Sequence, residues 1–176
     1  MKQLTVKNYF ELKETLSYDV LLKSLKPKNY FSGVKMDINN FSYIKVRSLF
    51  KLSQNPKLAK ELFMLAFGVT EQEFFNETIT NLFAAQNYLY DLIKKLIKKE
   101  SDLLKSIGTD ANIWQRAGGD KLNVFSDLLP LVQLGEIYSI YPLDLQEKKY
   151  NEILVLLTLH KTKSEVMSEY QTLKSK

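Results

Sequence analysis

Between Phe75 and Ile107 the apolar residues Phe75, Ile79, Leu82, Leu89, Ile93, Leu96, Leu103 and Ile107 keep one register of alternating four- and three-residue steps. Gln86 and Glu100 occupy the two positions where the register calls for an apolar side chain. No proline or glycine falls inside the stretch. Steps of three and four residues line one face of an α-helix, so the pattern predicts a single helix of about thirty residues, about 45 Å long at roughly 1.5 Å per residue. A helix of that length needs a partner for its apolar seam, either elsewhere in the chain or in a second subunit. In a coiled coil Gln86 and Glu100 would set register. In a single domain Glu100 marks the place where the helix leaves the core for solvent, which is the expectation adopted here.

The remainder of the chain reads as helical too. It has 176 residues, 45% hydrophobic and 26% charged, with only 6 glycines and 4 prolines. That is enough for one domain with a core, and the balance is that of an ordinary soluble protein. The arm Leu4–Lys7 is followed by a helix from Asn8 to Thr15 and another from Ser17 to Leu25, ended by Pro27. Residues 28–40 form a loop, with a trace of strand at Val34–Ile38. A helix over Ser42–Gln54 turns Phe41, Ile44, Leu49 and Leu52 inward, and Asn55-Pro56 restarts a helix that stops at Gly68. Thr70-Glu71-Gln72-Glu73 is a capping box. After Gly108, the Gly118-Gly119 pair reverses the chain and Asp120 caps a helix from Lys121 to Leu134 that Pro130 kinks or breaks. Gly135 and Pro142 bracket a short piece, and a last amphipathic helix spans Leu143–Leu173. The expected fold is therefore all-α, with seven or eight helices around one long helix and at most a trace of strand. It forms a single helical domain, residues 1–176: an arm and short helices over 1–40, a helical core over 41–107 and C-terminal helices over 108–176.

Little in the chain points to enzyme chemistry. His160 is the sole histidine and there is no cysteine, so the nitrogen and thiolate ligands of zinc and iron sites are missing. No serine sits in a glycine elbow for His160 to serve, and Ala117-Gly118-Gly119-Asp120-Lys121 departs from the phosphate-loop pattern. The expectation is a protein with no catalytic residue, metal or cofactor. The most apolar window, Ile153–Leu159, is far shorter than the twenty or so residues of a membrane span, and no signal peptide is visible, so the chain is expected inside the cell that makes it.

Interaction is the better-supported expectation. Ten tyrosines and ten phenylalanines exceed what many short helices easily bury. Trp114, Tyr88 and Tyr90, with Leu89 and Ile93 of the ladder, are the candidate interface residues, since aromatic side chains anchor many interfaces. Lys94, Lys95, Lys98 and Lys99 form a basic patch on the same helix. With a net charge of +5 it permits a sequence-independent contact with a phosphate backbone, although it equally forms the solvated face of an amphipathic helix.

Several stretches resemble small helical virion-morphogenesis proteins of tailed bacteriophages. They are Leu62-Phe63, Phe67-Gly68-Val69-Thr70-Glu71-Gln72-Glu73-Phe74, Trp114, Ala117-Gly118-Gly119-Asp120, Asn123, Phe125, and the Glu136-Ile137-Tyr138 and Pro142-Leu143 segments before Ile153–Leu157. The resemblance implies a non-enzymatic structural subunit, a head–tail connector or tail ring component. Its partners would be copies of itself in a ring, neighbouring virion proteins and non-specifically DNA, but no membrane. The alternative is a tail-assembly chaperone or another soluble helical protein-binding module. Either would be found in the host cytoplasm during assembly, and the first in the virion afterwards.

Overall fold

The computed structural model describes residues 4–12, 22–104, 116 and 118–175. Among these, eight α-helices have complete bounds: α1 (Val6–Phe10), α2 (Tyr43–Ser53), α3 (Ala59–Phe67), α4 (Glu71–Asn76), α5 (Ile79–Leu104), α6 (Leu129–Tyr138), α7 (Pro142–Gln146) and α8 (Tyr150–Lys174). Short 3-10 turns stand at Ile38–Asn40, Pro56–Leu58 and Gly119–Phe125. The fold is all-α, with the 26-residue α5 as its longest helix and the 25-residue α8 close behind. The trace of strand expected at 34–38 reduces to an isolated bridge between Phe31 and Val34, and the other bridges among the described residues are isolated too. The chain divides into two compact units, one holding 1–38 and 48–97, the other 39–47 and 98–176.

In the first unit the expected long helix is two helices. Phe75 lies on α4, and the backbone turns extended at Glu77 before α5 begins. Thr78, Ile79 and Thr80 are β-branched and poor at continuing a helix, whereas a threonine side chain is well placed to cap one. Thr78 Oγ1 accepts from the Asn81 amide at 3.4 Å. The Glu77 carboxylate holds the break open. It accepts from the Thr78 amide at 2.7 Å, the Asn81 side chain at 3.1 Å and the Ser32 amide at 2.9 Å. The arm at Leu4–Val6 closes on the same place through Val6 N to Glu77 O and Ile79 N to Leu4 O. Thr5, not Asn8, caps α1, because its hydroxyl accepts from the Asn8 amide.

The loop before Ile38 is anchored by a tight turn in which Ser32 and Gly33 both take positive φ, the conformation of a type I′ turn. That turn drives Phe31 fully into the core, where its ring lies 4.8 Å from Phe63, 5.6 Å from Phe67 and 5.8 Å from Phe74. The capping box at Thr70 and Glu73 forms as read, with the Thr70 amide donating to Glu73 at 2.7 Å. Gly68 ends α3 in the left-handed region. On α2 the inward phase differs from the expectation. Tyr43, Val46, Leu49 and Phe50 are buried, whereas Ile44 and Leu52 are half-buried.

In the second unit Pro130 opens a helix rather than kinking one. It stands in the first turn of α6, where its missing N–H costs nothing. Asp120 is not a cap either, for it lies inside the 3-10 turn that follows the left-handed Gly118. The last helix is also divided: α7 ends at Gln146 and α8 starts at Tyr150. Tyr43 N donates to Lys148 O at 2.8 Å and Tyr150 N to Phe41 O at 3.0 Å, so the intervening backbone pairs with the start of α2 instead of continuing the helix. The α6–α7 corner depends on Gly135. A Cβ there would stand 2.6 Å from the Ile140 carbonyl oxygen and 3.0 Å from the Pro142 ring. Gly135→Ala is expected to destabilise the chain by about 1–3 kcal/mol, the usual cost of overpacking, read as a lower urea midpoint at unchanged slope.

Candidate functional site

The second unit holds the densest convergence of polar side chains described. Arg47, one turn beyond Tyr43 on α2, bonds two carboxylates at once: Nη1 to Glu100 at 2.6 Å and Nε to Asp127 at 2.8 Å. Glu100 comes from the last turns of α5 and Asp127 from the turn before α6. Tyr150, the first residue of α8, donates its hydroxyl to the other Glu100 oxygen at 2.8 Å. The Tyr43 and Tyr150 rings stack at 6.2 Å, and the guanidinium lies 5.7 Å from the Tyr43 ring centre.

The electrostatics follow from that packing. Burial, with the Glu100 and Asp127 charges adding to it and Arg47 opposing, pushes the Tyr43 hydroxyl up to about 12. Burial, then the charge and hydrogen bond of Glu100, raises Tyr150 in the same direction. Burial by itself would lower Arg47, but Tyr43, Asp127 and Glu100 together hold it above its ordinary value. The two carboxylates and the guanidinium are spent on one another, and the node ties four segments of the unit together. Glu100 therefore does not mark the helix leaving the core, as its sequence position implied. It is the centre of a half-buried polar node of the second unit.

The expected interface residues are scattered. Leu89 and Ile93 are buried within the chain, which removes them as surface anchors. Tyr88 and Tyr90 are half-buried. Burial raises both hydroxyls, with the Asp37 charge adding to the effect at Tyr88. Trp114 lies outside the described residues, as do Ile107 and Gly108 at the end of the ladder. Gln86 lines a polar cleft of the first unit with Lys23, Pro27, Tyr90, Asp91 and Lys94. Lys94, Lys95, Lys98 and Lys99 are all exposed. Among the described residues no three of His, Asp, Glu and Cys gather where they could hold a metal ion. No described helix is long and apolar enough to cross a membrane.

Sequence reading missed the outer face of α8. Tyr150, Ile153, Leu154 and Leu157 bury one side of its first half. Lys161 pins the helix to the end of α5 by donating to the Leu103 carbonyl at 3.1 Å. Every described residue from Thr162 onward is exposed, so Met167 and Tyr170 do not share the buried surroundings of Tyr150, Ile153, Leu154 and Leu157. A shallow groove beside this face is lined by Ile137, Tyr138, Leu159, His160, Lys163 and Met167.

No protein-family model matches the chain, and no curated protein or solved structure matches it either.

Proposed function

We propose that the chain is a non-enzymatic structural subunit that works through subunit–subunit contacts, as in the connector and tail rings of tailed-phage particles. The observation that carries the contact-forming role is the distribution of exposed large apolar side chains over both units. Phe10 and Tyr30 stand out on the first, and Val124, Phe125 and Tyr141 on the second. A ring is built from heterologous contacts, in which one surface of a subunit meets a different surface of the next, and exposed large apolar side chains on each of the two units offer such surfaces. The virion setting is supported by the sequence resemblance. A DNA contact by the exposed lysines of α5 would be sequence-independent and weaken with salt.

Light scattering across a concentration series at low and high salt tests the reading. A discrete multimer of about six or more subunits is the expected result for a cyclic assembly. A chain that never exceeds a small oligomer, yet binds a second assembly protein stoichiometrically, would replace the ring with a soluble assembly factor.

A further inference from the structure

The polar cleft beside Gln86 lies wholly in the first unit and has two fixed sides. One is the stretch 22–28, which three hydrogen bonds hold against α5. The Lys28 amide donates to the Ala84 carbonyl at 2.9 Å, and the Asn87 side chain donates to the carbonyls of Lys23 at 3.1 Å and Leu25 at 2.8 Å. The other side is a stripe of α5 on which Gln86, Tyr90 and Lys94 follow one another at four-residue steps. The space between is about 500 Å³, lined by Lys23 from the first side and Lys94 from the second. Among the described residues the Lys23 and Lys94 ammonium groups, the Gln86 amide and the Tyr90 hydroxyl make no hydrogen bond or ion pair. Charge is concentrated at this place. Residues 22–28 and 86–97 hold Lys23, Lys26, Lys28, Lys94 and Lys95 against one carboxylate, Asp91, and so carry nearly all of the chain's net charge of +5. All five lysines are exposed.

We propose that this cleft binds single-stranded nucleic acid, with backbone phosphate between Lys23 and Lys94 and one unpaired base against Tyr90. Clustered cations without carboxylate partners raise the local concentration of anions, and a phosphate chain is the anion that a run of lysines on both sides of a cleft can follow. Size and the aromatic ring select the strand. A cleft of about 500 Å³ is of the class that encloses a small molecule, and it takes a nucleotide but not a duplex. Bases inside a duplex are stacked on one another, whereas an unpaired base is free to stack on a tyrosine. The Gln86 amide and the Tyr90 hydroxyl add uncharged hydrogen bonds that any base or sugar accepts, so the contact carries little sequence preference. Asp91 is the one opposing charge in the cleft, and it weakens the attraction. The inference deepens the sequence-independent DNA contact of the proposed function and rests on it, but not on the ring.

Fluorescence anisotropy with a labelled oligothymidylate of about sixteen nucleotides tests the proposal, beside the same strand annealed to its complement and vesicles of anionic phospholipid. The expected result is tighter binding of the single strand than of the duplex or the vesicles, weakening with salt at a log–log slope of about −0.7 per phosphate contacted. Lys23→Gln combined with Lys94→Gln should make that slope shallower by about 1.4. The helical circular dichroism and thermal midpoint should not change, since both side chains are exposed. Tyr90→Leu should lower the affinity about fivefold or more while Tyr90→Phe, which keeps the ring, stays close to the wild type. Asp91→Asn should tighten binding. Lys98→Gln combined with Lys99→Gln lies outside the cleft and should cost less than the Lys23 and Lys94 pair. Equal losses from the two pairs would show a diffuse attraction along α5 and overturn the cleft while leaving the DNA contact standing. So would a duplex that binds as tightly as the single strand, or a Tyr90→Leu variant of full affinity. Vesicles bound more tightly than either nucleic acid would replace the strand with a lipid surface. A chain that binds no nucleic acid in any form sinks the DNA contact and the cleft together, whatever its mass in solution.

Discussion

Arg47→Met should cost the second unit about 3 kcal/mol. That is the lower end of the range for breaking a buried ion pair, because the side chains of Arg47, Glu100 and Asp127 keep 17%, 21% and 18% of their surface exposed. The loss comes from the two carboxylates left facing each other without their common cation, more than from the attraction that disappears. The double variant Arg47→Met with Glu100→Gln should therefore recover part of the stability. Urea unfolding of the wild type, both single variants and the double variant measures the coupling. Simple additivity would show that the three side chains do not act as one node.

The same node sets an alkaline limit. An unfolded tyrosine titrates near 10, whereas Tyr43 in the folded chain waits until about 12 and Tyr150 is shifted the same way. Above pH 10 the unfolded state releases protons that the folded state retains, so rising pH favours unfolding. Stability is full below pH 10 and is lost as pH climbs through the folded value. The slope per tyrosine reaches about 1.4 kcal/mol per pH unit. Tyr43→Phe should flatten the dependence between pH 10 and 12. An unchanged slope in that variant would place the alkaline sensitivity elsewhere.

Leu89→Asp and Ile93→Asp should each unfold the first unit rather than merely prevent association. Both side chains are at most 2% exposed within the single chain. An aspartate there must shed its water or push the helix out of the core, and even truncation of Leu89 to alanine costs about 2–5 kcal/mol. Against the roughly 5–15 kcal/mol that holds a whole domain, a buried carboxylate leaves little folded protein. Far-ultraviolet circular dichroism and urea titration give the answer directly. A soluble variant of full helicity that had lost only self-association would place these residues at a subunit interface after all.

Which features were legible in the sequence follows from the range over which each is determined. The capping box of Thr70 and Glu73, the stop at Gly68 and the restart at Asn55-Pro56 are settled within a turn of helix, and they stand where the residues placed them. The apolar ladder likewise identified the buried seam of α5 at Ile79, Leu82, Leu89 and Ile93. Pro130 was misread because the same residue opens a helix or kinks one, depending on whether the backbone before it is already helical. The polar node left one trace in the sequence, the carboxylate of Glu100 inside an apolar register. Its partners lie 53 residues away at Arg47 and 50 away at Tyr150, beyond any local pattern.

By itself the sequence determined the helical class, the caps at Gly68 and Thr70 and the seam of the long helix, because these depend on hydrogen bonds and apolar spacing a few residues apart. Only the tertiary structure decided that α4 and α5 part at Glu77, where the Ser32 amide holds the Glu77 carboxylate and the N-terminal arm claims the backbone. It also decided that the half-buried Glu100 joins Arg47 and Tyr150 in one polar node, and that one apolar face of α8 is buried while the other is left exposed. Periodicity shows that a face is apolar. What covers it depends on chain that is distant in sequence, or on another molecule.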